Sequence, residues 1–519
     1  MKKKRPKLYP HQQEALERVL KEPFFALLMK QGTGKTAVAI RAIEERFKAG
    51  LINRVVVYCP KTLTYNWQEE LQDFLGLPKS QYIIERLNQS TKAKQLQAYG
   101  EFIKQDPELA TLKDLKVLGY TGTKKSIVSN APRKLLILLL NYEKSRVMYK
   151  QLKKFKPHFL VVDESHKLKS QKAAMSSSIY KLTRSCKYRI ILTGTLVCNG
   201  YEDIFMQYKI MNPDIFGIHF KEFNQTFIRR GGYMGKQIVG YKRINKLKRI
   251  IRRTSYTVEI EDCIKLPPIS YTVLTTELES KAQKAYREME DSMLTHIEKL
   301  SEDVSRGYLK ETCKKFGIVY SPSESYRSLL LKAINYINTS SCDLVITQTL
   351  RLQQIAGGFL TLDTGQVVEV DQGKLNLVKD IVEEATKPVV IFCQYVAEIN
   401  RLKEKLPSLV KRSINVREFR TVKDRDKVYQ EFQRGEVDVL ILQLKSGSVG
   451  LNLQKANQVV FYSMNFSSDD YVQAIARIKR NGQTNPMSVI HLFALNTVDL
   501  DIYEAIKSKR KLSDQLFTV

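Results

Sequence analysis

Short apolar runs recur along the chain, each followed by a loop and then by apolar positions at three- and four-residue steps. Unbroken apolar runs suit strands buried on both faces, and their alternation with helical patterns predicts parallel α/β sheets. The first series is FFALLM at 24–29, RVVVYC at 54–59, LLILLL at 135–140, FLVVD at 159–163 and RIILTG at 189–194. A second series follows as PVVIFC at 388–393, DVLIL at 438–442, QVVFY at 458–462 and SVIHLF at 488–493. The predicted fold class is α/β: two parallel-sheet lobes at 1–265 and 371–519, with a helical brace and insertion at 266–370 between them. Within the brace, Ala282, Ala285, Tyr286, Met289, Met293, Ile297 and Leu300 have the spacing of an amphipathic helix packed on a neighbour. Segments 78–132 and 301–345 are polar and basic without a strong period, and read as insertions whose role the residues do not disclose.

Charge narrows the class of partner. Lys and Arg total 85 against 54 acidic residues in 519, a net charge of +31, which answers a polyanion such as nucleic acid. Seven cysteines with no CxxC pair argue against a disulfide framework or a zinc ribbon and for a reducing compartment. No apolar stretch approaches the roughly 20 residues of a membrane span, and no signal-peptide run follows MKKKRPK, so a cytosolic or nuclear home is expected.

Three motifs carry chemistry. GTGKT at 32–36 lies between a predicted strand and a predicted helix, where the backbone N–H groups of Gly32, Thr33 and Gly34 and the helix N-terminus meet phosphate. Lys35 is expected on the β- and γ-phosphates and the Thr36 hydroxyl on magnesium, although Met29 stands where the full phosphate-loop pattern has its first glycine. DESH at 163–166 closes the strand FLVV, so Asp163 can hold Mg²⁺ and Glu164 can orient or deprotonate the attacking water. Gln473, Arg477 and Arg480 lie on a predicted helix whose spacing brings all three to one face, and guanidinium groups from another lobe can stabilise charge at a γ-phosphate.

From Leu8 to about Leu500 the chain resembles the SWI/SNF-like ATPases of helicase superfamily two, which are DNA translocases. LYPHQ at 8–12, PKTLTYNWQEEL at 60–71, NYE at 141–143, DESHKLKS at 163–170 and LTGT at 192–195 follow that family's order, as do Arg252, Arg253 and Leu266–Pro267. VVIFCQY, Arg425, Phe432, SGSVGLNLQKANQV and QAIARIKRNGQ continue it. The resemblance implies two RecA-like lobes, an ATP-binding one and a helicase C-terminal one, with ATP and Mg²⁺ as cofactors. It also implies an adenine contact at Gln12, a nucleotide role for Gln473, and catalytic roles for Lys35, Asp163, Glu164, Arg477 and Arg480. Leu196 departs from the family's proline, Asn465-Phe466-Ser467 from its W-N-P, and Lys479 and Asn481 from its His and Ile; none removes a catalytic group.

A motor on a duplex holds backbone phosphates through basic or amide-rich loops at strand ends. Lys61, Lys167, Lys169, Lys445, Ser448 and Asn452 meet that description, and the resemblance adds Trp67, Arg252 and Arg253. The run 241–253 holds seven basic residues and no acid, and reads either as phosphate-binding or as a solvated helix face. KKKR at 2–5 reads as a phosphate contact, a free end or a nuclear-import signal. Aromatic residues do not interleave with these patches and no helix-turn-helix or zinc finger is present, so backbone-directed, salt-sensitive DNA binding is expected, duplex in preference to single strand.

The expected function is a DNA-stimulated ATPase translocating along duplex DNA. The alternatives are a strand-separating or branch-migrating helicase, whose wedge the insertions would supply, and an ATP-gated DNA-binding recruitment module. With the sequence ending at Val519, no chromatin-reading extension is expected, and a role in prokaryotic or viral replication, repair, recombination or protein displacement is, in the cytoplasm of the cell concerned.

Overall fold

The computed structural model describes residues 6–87, 134–171, 173–231, 237–300, 342–362, 364–418, 422–447 and 451–517. Ser448, the KKKR segment and most of both expected insertions lie outside the described residues. The chain forms two compact units, one of residues 1–227, 243–263 and 513–519, the other of 228–242 and 264–512.

The first unit is built on a seven-stranded sheet of β1 (Phe24–Met29), β2 (Arg54–Cys59), β3 (Tyr82–Leu87), β4 (Leu135–Asn141), β5 (Phe159–Asp163), β6 (Tyr188–Leu192) and β9 (Ser255–Val258), ordered β3-β4-β2-β5-β6-β1-β9. Every pairing is parallel, so all strands end on one edge. β4 and β5 are buried along their whole length, which is why they read as continuous apolar runs. Helices Pro10–Lys21, Lys35–Lys48 and Thr64–Phe74 cover the sheet through Ala15, Val19, Val38, Ile43, Trp67 and Leu71. Arg46 is buried there, its guanidinium over the rings of Phe159 and Tyr188 and donating to the carbonyls of Val19 and Glu22 at the end of the first helix.

A hairpin of β7 (Ile228–Gly231) and β8 (Gln237–Tyr241) intervenes before β9. The second unit holds a six-stranded parallel sheet of β10 (Ile269–Thr276), β13 (Val389–Cys393), β14 (Val416–Glu418), β15 (Val439–Gln443), β16 (Gln458–Phe461) and β17 (Met487–Ala494), ordered β10-β17-β16-β13-β15-β14. A two-stranded ribbon, β11 (Phe359–Thr361) with β12 (Val367–Glu369), lies between β10 and β13 in the chain.

The described residues of 266–370 belong to the second unit and do not stand apart as a brace. β10 completes the second sheet, and Ala282 and Tyr286 of helix Ser280–Leu300 share one core with Leu352, Ile355 and Ala356 of helix Cys342–Ala356. Ala285 and Met289 pack against the same core, while the side chains of Met293, Ile297 and Leu300 lie outside the described residues.

A buried polar network ties the turns at the carboxyl edge of that sheet. Glu398, wholly buried in helix Val396–Leu409, accepts the backbone N–H groups of Gln394 and Tyr395 and the Ser463 hydroxyl on a single oxygen, Oε2. Lys374, also buried, donates to the Tyr462 carbonyl and pairs with Asp499 at 2.7 Å. Burial raises the Glu398 carboxyl to about 7 from an ordinary 4.5, so the folded chain holds this proton more tightly than the unfolded one. The stability this contributes is complete below about pH 4.5 and is lost as pH rises through about 7. Glu398→Gln keeps an acceptor for the three donors and carries no charge. Its melting temperature is expected to match wild type near pH 5 and to exceed it at pH 8 by on the order of 5 °C, measured by calorimetry across that range.

Candidate active site

β1 ends at Met29, and the loop that follows turns through Gly32 and Gly34, both at φ 84°, into helix Lys35–Lys48. Gly34 is required twice over: the left-handed backbone disfavours a side chain, and an added Cβ would run into the amide of Gln12. That amide donates to the Thr33 carbonyl at 3.0 Å, while Gln12 Oε1 accepts the Tyr9 N–H at 3.1 Å. His11 Nε2 lies 2.9 Å from the same Thr33 carbonyl. The segment before β1 thus grips the phosphate loop from outside. Lys35 is buried and donates to the Met29 carbonyl at 2.8 Å, an interaction with backbone that any residue at position 29 supplies. The missing first glycine therefore leaves the Lys35 position intact. Thr36, one residue into the helix, is half-buried.

β5 delivers Asp163 to the same sheet edge, buried, with its carboxyl raised to about 6 by burial and then by the neighbouring Glu164 charge. The Lys35 ammonium and two hydrogen bonds oppose that rise. Those bonds come from Trp67 Nε1 to Oδ2 at 2.8 Å and from the Glu164 N–H to Oδ1 at 3.0 Å. Each carboxylate oxygen keeps a second lone pair. A buried hard-oxygen ligand whose charge is only partly balanced fits a divalent cation, so Asp163 with the Thr36 hydroxyl would hold Mg²⁺.

Glu164 sits at φ 52°, a left-handed conformation that costs a non-glycine residue about 1 kcal/mol or more. The Tyr142 hydroxyl donates to the Asp163 carbonyl and lies 3.2 Å from that of Glu164, pinning the turn. Glu164 Oε2 is 3.4 Å from His166 Nδ1, which in turn is 3.1 Å from the Thr193 hydroxyl. That hydroxyl already donates to the Thr195 carbonyl, so the proton in this chain of bonds lies on Nδ1. Ser165 donates to Gln207, whose amide donates to the carbonyls of Leu196 and Asp203, while Asp203 accepts the N–H groups of Cys198 and Asn199. The acidic turn and the loop 193–203 are thereby one hydrogen-bonded body. Leu196 fits it because its buried side chain packs and its carbonyl is used.

In the second unit, helix Ser468–Ile475 is shorter than the spacing predicted. Gln473 is helical, but Arg477 and Arg480 lie on tight turns beyond, where the Arg477 carbonyl is taken by the Leu453 N–H. The two guanidinium groups still converge, both on the Leu451 carbonyl, at 3.2 and 3.3 Å. Arg477 is buried and also bonds the Gln473 carbonyl, Arg480 is half-buried, and the Gln473 amide turns back to Asp469. Ser467, in place of the family's proline, caps the helix by accepting the Asp470 N–H.

Of the expected DNA contacts, Lys61 and Lys167 are exposed at the carboxyl edge, and Lys169 is half-buried 3.8 Å from Asp203. Arg252 and Arg253 are exposed on helix Ile244–Thr254, whose Leu247 and Ile251 are buried, so the basic run is the outer face of a packed helix. Lys445 is exposed and Asn452 half-buried in the second unit. Trp67, expected on DNA, is 2% exposed and donates its indole N–H to Asp163. Tyr142, His166, Thr193 and Gln207 escaped the sequence reading of roles, although NYE, DESH and LTGT mark three of the four.

The SNF2-related domain family matches residues 26–320, more than half of the chain, and the helicase conserved C-terminal domain family matches 373–482. The chain belongs to the SNF2-related family. This SNF2-related chain is a helicase-type, ATP-hydrolysing core. It is 22% identical to the DNA repair and recombination protein RAD54B of Gallus gallus, over 94% of this chain and 51% of that protein. It is 23% identical to the uncharacterized ATP-dependent helicase MG018 of Mycoplasma genitalium, over 93% of this chain and 39% of that protein. The SNF2-related chain thus spans about half or less of the length of these curated relatives. The Sulfolobus solfataricus SWI2/SNF2 ATPase core in complex with dsDNA aligns with 99% of this chain and 93% of its own at 21% identity, with a TM-score of 0.39. Among the described residues no helix is long and apolar enough to cross a membrane.

Proposed function

We propose that this chain is a DNA-stimulated ATPase that translocates along duplex DNA. One observation carries the reading: the phosphate loop with Lys35, the acids Asp163 and Glu164, and the exposed Lys61 and Lys167 all leave the same edge of one parallel sheet. A nucleotide and a nucleic-acid backbone bound there would touch neighbouring turns. The net charge of +31 and the relationship to a DNA repair and recombination protein support DNA as the polyanion.

In this reading the N–H groups at the start of helix Lys35–Lys48 and the Lys35 ammonium bind the phosphates, and Gln12 reads the base. Magnesium, when bound, neutralises charge on the transferred phosphoryl group. Glu164 accepts the proton of the attacking water, with its carboxylate held toward the His166 N–H. Arg477 and Arg480 are the guanidinium groups this reading assigns to the developing charge.

Triplex displacement tests movement directly. A duplex translocase is expected to strip a third strand in an ATP-dependent way without opening a forked duplex. Unwinding of the fork would instead favour the strand-separating helicase, and slow hydrolysis with neither reaction the recruitment module.

A further inference from the structure

Trp67 is the only tryptophan in the chain, and its partner is the acid that the proposed function assigns to magnesium. The sheet explains how the two meet. β2 and β5 are parallel neighbours with Tyr58 level with Val162, so the chain leaves β2 at Cys59 beside the point where β5 presents Asp163. The next residues form the turn Lys61–Leu63, closed by the Leu63 N–H on the Pro60 carbonyl at 2.9 Å. The buried Thr64 hydroxyl then donates to the Lys61 carbonyl at 2.9 Å and joins this turn to helix Thr64–Phe74. One helical turn on, Trp67 and Leu71 face the core, and the indole N–H emerges from it only to meet Asp163 Oδ2. The exposed Lys61 and the buried carboxylate are therefore joined by a short and rigid path.

The indole also settles the carboxylate's orientation. With Trp67 on Oδ2 and the Glu164 N–H on Oδ1, the carboxyl plane is fixed from both sides. Ligand-orienting hydrogen bonds of this kind typically change metal affinity by about 10- to 100-fold when removed.

We propose that Trp67 is a positioning residue that fixes Asp163 for magnesium and carries the occupancy of the Lys61–Leu63 turn by duplex DNA to that carboxylate. This rests on the reading of Asp163 as a metal ligand and of Lys61 as a DNA contact. It converts a segment matched only by its sequence motif into the link between the DNA and the ATP sites of one unit.

Two measurements on the full chain test it. In the first, a fluorescent non-hydrolysable ATP analogue is titrated into wild type, Trp67→Phe and Asp163→Asn, with magnesium and with EDTA. Trp67→Phe keeps the apolar ring and loses the N–H; it is expected to weaken binding about 10-fold with magnesium and to leave binding in EDTA unchanged. A purely packing role would lower the melting temperature and move both conditions together or neither. Wild-type magnesium dependence in Trp67→Phe overturns the proposal. Unaltered magnesium dependence in Asp163→Asn as well would instead overturn the assignment of the acid.

The second measurement needs no variant of the indole. Emission of the single tryptophan is followed in wild type and Lys61→Ala at duplex concentrations that saturate each protein by anisotropy. A duplex-induced change in wild type that is lost in Lys61→Ala is the expected result. Emission indifferent to bound duplex overturns the coupling, including where Trp67→Phe fails to fold.

Discussion

Arg480→Ala is expected to lower the duplex-stimulated ATPase rate by roughly 10³-fold or more, the scale at which arginines that meet a transferred phosphoryl group act. Its melting temperature should stay within about 2 °C of wild type, because the side chain is half-buried and its truncation opens no core. Arg477→Ala is the informative companion. That guanidinium is buried and bonds the carbonyls of Gln473 and Leu451, so its loss removes a buried charge and the donor on the Gln473 carbonyl, while Leu451 keeps Arg480. It should cost a similar factor in rate and several degrees in melting temperature as well. Steady-state ATPase assays beside thermal melts of both variants separate the two roles. Equal rates and equal melts in Arg480→Ala and wild type would place the arginine outside the chemistry.

Lys35→Ala should cost the ATPase about 10³-fold, because the buried ammonium is a fixed positive charge beside the phosphate loop. The same ammonium favours the charged form of Asp163. Its removal is therefore expected to make the Asp163 carboxyl easier to protonate, so nucleotide–magnesium affinity should fall off at a higher pH in the variant than in wild type. Nucleotide binding measured between pH 5 and 8 checks the direction. The fold should tolerate the change, since water can take the Met29 carbonyl that Lys35 bonds once the stem is gone.

The central strands were legible because strands buried on both faces must be apolar at every position, as in RVVVYC and LLILLL. The edges were not. β3 reads YIIERL inside a basic segment and is half-buried throughout, and β10 reads ISYTVLTT with most positions exposed, so neither shows the run that betrays a core strand. The arginine turn misled for another reason. Spacings of three and four residues persist in consecutive tight turns, so the convergence of Arg477 and Arg480 survived although the helix stops at Ile475.

The phosphate loop and the acids could be placed because each motif names its own structural corner. Trp67 could not, since an indole just beyond a strand end reads alike whether it faces DNA or a carboxylate 96 residues away. The burial of Glu398 was invisible for a related reason: Gln394 and Tyr395 are local to its helix start, but Ser463 joins them only once β13 and β16 pair.

The proposed function requires duplex DNA to switch on the ATPase. ATP hydrolysis by wild type should be measured with no nucleic acid, single-stranded DNA, double-stranded DNA and RNA, each at low and moderate salt, with Lys35→Ala as the control. Stimulation chiefly by double-stranded DNA, weakened by salt and absent from the control, is the expected result. Stimulation chiefly by single strands or RNA, or hydrolysis indifferent to nucleic acid, would contradict it.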